Sequence, residues 1–116
     1  MNIEEFRDYC IKKKGVTEHF PFDQNTLVFK VMGKMFALAD VETFDFINLK
    51  SEPEKAVELR EKYQGIKPGY HMSKIHWNSV YVNTDVSDRL VFELVDDSYK
   101  LVVSSLTKKL KEELER

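Results

Sequence analysis

A single cysteine, Cys10, leaves this chain of 116 residues without a partner for an internal disulfide, so packing and hydrogen bonding must hold it together. The thiol stands four residues after Phe6 and seven after Ile3, on the apolar face of a helix, and reads as a small buried hydrophobe. No apolar run approaches the roughly 18 residues of a membrane span. The opening Met1-Asn2-Ile3-Glu4-Glu5-Phe6 also lacks the basic and then apolar layout of a signal peptide, so a cytoplasmic protein with no membrane association is expected. There is no G-x-S-x-G, no phosphate-loop motif and no H-E-x-x-H. No catalytic residue or cofactor is assigned. Linkers, repeats and low-complexity segments are missing too, and the length suits one core rather than two, so residues 1–116 are read as one domain.

A positive balance is likewise lacking: 18 basic against 20 acidic residues give a net charge of −2, which excludes coating nucleic acid by bulk charge. The distribution is more telling. From Lys62 to Thr84 there is no Asp or Glu at all, while Lys62, Lys67 and Lys74 fall there with Tyr63, Tyr70, Tyr81, His71, His76 and the only tryptophan, Trp77. The next segment is acidic, carrying Asp85, Asp88, Glu93, Asp96 and Asp97 against Arg89 alone. Function is sought first in the acid-free run.

Asn2 is a good N-cap with Glu5 at capping-box spacing, and a first helix is expected to run to Lys14, with Lys12, Lys13 and Lys14 at the negative end of its dipole and Gly15 as the stop. Leu27 to Met32, Lys34 to Asp40 and Phe44 to Leu49 read as a three-stranded meander. Ser51-Glu52-Pro53-Glu54 opens a second helix that ends before Gly65. Gly65 to Met72 can hold only a short or edge strand, because Pro68 and Gly69 interrupt it, whereas Lys74 to Asn83 is a fuller one. Asp85 or Ser87 caps a third helix in which Leu90, Val91, Leu94, Val95, Leu101 and Val102 recur at helical spacing, with a bend or break at Asp96-Asp97-Ser98. The tail after Thr107 is a short charged helix or a frayed end. The order α-β-β-β-α-β-β-α(α) predicts a two-layer α+β domain with five strands.

On a strand through Trp77, alternation places Trp77, Ser79 and Tyr81 on one face and His76, Asn78, Val80 and Val82 on the other. The valines suit a helix-covered side. Trp77 and Tyr81 then either stack bases on an open face or pack beneath a loop or second subunit. A zinc site from His71, His76 and His19 is not expected: His71 and His76 are five apart, and no second Cys accompanies them. Tyr70, His71 and Lys74, beside the Pro68-Gly69 turn, could equally serve acid–base chemistry or phosphate binding. Lys30, Lys34, Lys67 and Lys74 sit on or beside strands and turns, where they could touch a DNA backbone or simply keep strand edges from pairing. Glu4, Glu5 and Asp8 are explained by the first helix's dipole, without an iron site.

The run Pro68-Gly69-Tyr70-His71-Met72-x-Lys74-x-His76-Trp77 resembles the signature of the MmcQ/YjbR family. Gly33-Lys34-Met35-Phe36-Ala37 is similar to that family's first hairpin, Phe20-Pro21-Phe22 to its entry loop and Ser98-Tyr99-x-Leu101-Val102 to its last helix. The resemblance implies an antiparallel sheet with helices on one face, a secretion-chaperone-like arrangement also compared with frataxin. It further implies DNA binding, a label attached to the family largely by analogy of fold. The expected contacts are Lys30, Lys34, Lys67, Tyr70, His71, Lys74, His76 and Trp77, with weak and salt-sensitive affinity. The alternatives are a protein-interaction or self-associating module using the open sheet face, and a small-molecule pocket bounded by Trp77, Tyr70 and His71.

Overall fold

A computed structural model describes residues 1–116. The chain runs α1 (Ile3–Ile11), β1 (Val16–His19), β2 (Thr26–Val31), β3 (Lys34–Asp40), β4 (Phe46–Lys50), α2 (Pro53–Lys62), β5 (Ile66–Pro68), β6 (Trp77–Tyr81), α3 (Asp88–Ser104) and α4 (Lys108–Glu115). All strands join one antiparallel sheet in the order β1-β2-β3-β4-β6-β5, with α1, α2 and α3 against one face. No helix is long and apolar enough to cross a membrane.

The α+β architecture is as expected, but the sheet has six strands rather than five. The added one is β1, whose Val16-Thr17-Glu18-His19 carries a single apolar residue and so gives almost no periodic signal. It is held from outside: it pairs with β2, and Arg7 on α1 donates two hydrogen bonds to the Glu18 carboxylate at 2.8 and 2.9 Å. The β2–β3 hairpin turns on two residues, Met32 at φ 50° and Gly33 at φ 85°. Positive φ at both positions is the backbone that matches strand twist, which is why glycine follows so closely here.

Core residues alternate along the strands as the pleat requires. Leu27, Phe29, Val31, Ile47, Leu49, Val80 and Val82 meet Phe6, Cys10, Val91, Leu94, Val95 and Val102 from the helices. Leu90 is only half-buried. The alternation breaks once in β3, where the register steps from Phe29↔Ala37 to Lys30↔Met35, leaving Phe36 as the extra residue of a bulge. Phe36 and Ala37 consequently both lie in the core. Phe6 meets Phe29 edge-on at 5.5 Å between ring centres, a contact worth about 0.5–1.5 kcal/mol beyond area burial.

Helix α3 continues unbroken through Asp96-Asp97-Ser98, where a bend had been expected. Each of the three polar residues is used. Asp96 accepts from Tyr9 at 2.8 Å and pairs with Lys13, Asp97 pairs with Lys55 at 2.7 Å, and Ser98 is fully buried between two strands. Lys13 therefore braces α1 against α3 rather than merely facing a helix dipole, and α1 itself ends at Ile11. Helix α2 opens at Pro53, and its cap residue Glu52 offers no side-chain bond. Ser87 is confirmed as the α3 cap, accepting from the Leu90 N–H. The tail forms helix α4, capped by Thr107 and anchored through buried Leu114.

Candidate functional site: a cleft on the open sheet face

The sheet face away from the helices is covered by the stretch between β5 and β6. Strand β6 starts at Trp77, not Lys74, because the Trp77 N–H turns back to the Ser73 carbonyl at 2.9 Å and holds residues 73–77 in a tight turn. Gly69 donates to the Trp77 carbonyl at 2.9 Å, and a Cβ at position 69 would fall 2.8 Å from the Trp77 Cβ. Only glycine allows this approach. The segment therefore folds down, with Met72 and Met35 against Trp77, Val28 and Leu38. Trp77 keeps 8% exposure. It does lie on the face opposite the helices, as alternation predicted, but its ring is packed beneath the loop and has no free surface for a base.

Two polar side chains, Asn48 and Ser79, fix the loop through three hydrogen bonds. Ser79 donates to Asn48 Oδ1 at 2.6 Å and accepts from the Tyr70 N–H at 2.9 Å, while Asn48 Nδ2 donates to the Tyr70 carbonyl at 3.1 Å. Asn48 and Ser79 face one another across β4 and β6 and are both buried, so their hydrogen bonds are formed in a dry setting where leaving them unmade would be expensive. Both peptide groups of Tyr70 are clamped, and its ring is left outside, 59% exposed. His71 follows in the left-handed region at φ 58°, its ring 4.0 Å from that of Tyr70. A non-glycine residue held there is strained and persists because its surroundings over-determine it.

Beside this loop opens a cleft of about 430 Å³. Its apolar wall comprises Phe22, Leu38, Phe46, Tyr70 and Met72, and its polar groups include His71, Asp23 and Asp40. Phe46 packs edge-on to Tyr70 at 5.9 Å and tilts against Tyr81 at 5.0 Å. Phe22 is 64% exposed and Phe20, two residues before it, 51%, so the rim presents aromatic surface to solvent. Asp23 accepts from the backbone N–H groups of Thr26 at 2.6 Å and Asn25 at 2.9 Å and from the Thr26 hydroxyl at 3.1 Å, which holds its carboxyl below the usual range. Asp40 accepts from the N–H groups of Glu42 and Thr43 through one oxygen.

Of the eight residues expected to form a site, only Tyr70 and His71 line this cleft. Lys74 is spent on the fold, donating to the Gly69 carbonyl at 2.8 Å. Its own carbonyl accepts from Arg60, which also donates to Asn78 at 2.7 Å. His76 is exposed in the turn, and its carbonyl accepts from the Ser51 N–H at 2.8 Å. Lys30 shares the Val28 face of β2, whereas Lys34, displaced by the hairpin, reaches the Ser105 carbonyl at the end of α3 on the helix side. Lys67 is exposed on β5, four strand spacings or roughly 19 Å from Lys30. The lysines thus do not converge. Asp23, Asp40, Phe46 and Asn48 were not singled out from sequence. Asn48 carried the clearest signal, an amide set between the apolar Ile47 and Leu49.

The YjbR family model matches residues 11–101, which takes in β1 to β6 and most of α3. The chain belongs to the YjbR family. It is 45% identical over 91 residues to YbdF, an uncharacterised protein of Escherichia coli O157:H7, across 78% of this chain and 75% of that one. It is 34% identical over 107 residues to YjbR, an uncharacterised protein of Escherichia coli K12, across 91% of both chains. Among solved structures, a Deinococcus radiodurans protein superposes with a TM-score of 0.92 at 38% identity, over 98% of this chain and 88% of that one. A Pseudomonas syringae protein does so with a TM-score of 0.73 at 31% identity, over 87% and 98% respectively. These likenesses extend the fold to the family and carry no activity with them.

Proposed function

We propose that this member of the YjbR family is a binding module whose ligand is a small molecule held in the cleft between β2, β3, β4 and the Gly69–His76 loop. The observation that carries the reading is the pairing of exposed aromatic surface with a rigid frame. Phe22 and Tyr70 stand out in solvent at the cleft mouth, yet Asn48 and Ser79 hold the Tyr70 backbone from below. A partly apolar concavity of this size, with a few fixed polar groups, is the usual form of a small-molecule site. The cytoplasm is the proposed setting, supported by a lone thiol kept in the core rather than paired.

DNA binding draws less support from the geometry. Lys34 and Lys30 lie toward opposite faces, Lys74 is internally bonded and Trp77 is packed, so the groups expected to hold phosphates and bases do not share one surface. Backbone recognition needs several cations along one track.

One ¹⁵N NMR experiment separates the readings. A mixed fragment set is expected to shift the amides of Leu38, Phe46, Tyr70, His71 and Met72, and a mixed-sequence duplex in dilute salt to leave them in place. Saturating shifts with the duplex at Lys30, Lys67 and their neighbours, together with silence of the cleft toward every fragment, would reverse the assignment.

A further inference from the structure

The cleft has a chemical polarity that narrows its occupant. Its lining includes two carboxylates and no lysine or arginine. Asp23 and Asp40 stand around one residue: Asp23 accepts the Thr26 backbone N–H and hydroxyl, and Asp40 is paired with Thr26 across β2 and β3. Neither forms an ion pair with a basic side chain, although Arg7, Lys13 and Lys55 are so engaged elsewhere. The carboxylates are instead held by backbone N–H groups, which fix their direction without neutralising their charge. Asp40 keeps one oxygen outside its turn. Leu38, Phe46 and Met72 line the same cleft as these carboxylates, so one ligand can meet an apolar wall and a counter-charge together.

Resting on the cleft being the binding site, we infer that it selects a small organic cation: a primary amine or guanidine on an aromatic or apolar body. The cationic head sits between Asp23 and Asp40 at the Thr26 end, and the body lies among Phe22, Phe46 and Tyr70. Aromatic faces suit both parts, stacking on the body and attracting the charge beside it. An anionic ligand of the same shape meets two like charges with no compensating cation. Nucleic acid phosphate is excluded from this cleft on the same ground.

The test uses three probes of nearly equal shape, 2-phenylethylamine, 2-phenylethanol and 3-phenylpropionate, titrated into the ¹⁵N-labelled full chain at neutral pH. The amine is expected to bind about tenfold or more tightly than the alcohol, as a charge-assisted hydrogen bond allows, and the carboxylate not to shift the cleft amides. Asp40→Asn keeps the acceptor used by Glu42 and Thr43 while removing the charge. It should therefore weaken the amine at least fivefold and leave the alcohol unchanged, the alcohol reporting that the cleft is intact. Asp23→Asn gives the same comparison at the other carboxylate. Equal binding of amine and alcohol at the cleft, or amine binding untouched in both variants, would overturn the cation preference while leaving the cleft as a binding site. Failure of all three probes to move any cleft amide would overturn both.

Discussion

Replacing Ser98 by Ala removes one hydroxyl that two strands depend on. Strands β3 and β4 pair from Ala39↔Ile47 to Ala37↔Leu49 and no further. One step beyond, the Ser98 hydroxyl, reaching up from α3 and fully buried, donates to the Phe36 carbonyl at 2.6 Å and accepts from the Lys50 N–H at 2.9 Å. Alanine leaves a carbonyl and an N–H facing each other across a hydroxyl-sized gap. A buried polar group stranded in this way costs about 1–2 kcal/mol, so the pair costs about 2–4. Alanine's better helix propensity returns about 0.4 kcal/mol, leaving a net loss of about 1.5–3.5 kcal/mol. At roughly 2.1 cal/mol/K per residue of unfolding entropy, that is a fall in Tm of about 10 °C. Urea denaturation followed by circular dichroism measures it, with Ser104→Ala, whose hydroxyl bonds an exposed carbonyl in the same helix, as the comparison. A loss below about 1 kcal/mol for Ser98→Ala would mean that the strands close directly onto each other, and the bridging role assigned to the hydroxyl would be wrong.

Phe29→Ala, at a fully buried ring packed edge-on to Phe6 and tilted against Phe36, should lose about 3–5 kcal/mol in the same assay, enough to threaten folding of a domain this size. Cys10, whose thiol burial pushes far above its ordinary range, should resist alkylation by iodoacetamide at pH 8 in native protein and react only after denaturation, as mass spectrometry would show. Burial and then the Asp96 carboxylate push the Tyr9 phenol up to about 12, so the folded state holds a proton that the unfolded state releases near pH 10. Its contribution to stability is complete below pH 10 and is lost as pH rises through about 12, and Tyr9→Phe should remove that part of the alkaline loss in thermal melts. Gly69→Ala forces the loop off Trp77, so the single tryptophan's emission should shift to the red and the Tyr70 amide should lose hydrogen-exchange protection.

Helix α3 was legible because Ser87 caps it and its apolar residues keep a steady period, and α1 because Asn2 caps it and Phe6 and Cys10 share a face. Strand β1 was hidden because its stability comes from β2 and from Arg7, neither of which is local. The start of β6 was misplaced for a similar reason: Lys74 to His76 have strand-like side chains but their backbone is committed to a turn. The acid-free run from Lys62 to Thr84 contains the loop that borders the proposed cleft. The carboxylates in that cleft, Asp23 and Asp40, were not legible there, because they precede the run by more than 20 residues and reach it only through the sheet. Side-chain commitments such as Lys74 to Gly69 follow from loop geometry that no local pattern encodes.

Arg60 gives the two faces of the sheet a common mechanical member. Its guanidinium leaves α2 and bonds Asn78 of β6 and the Lys74 carbonyl of the loop, while Asn78 in turn bonds the Ala56 carbonyl of α2. Those bonds give the loop beside the cleft and helix α2 a shared anchor through the sheet. The loop is thus braced from behind by a helix whose own outer surface, with Val57 half in solvent, stays open.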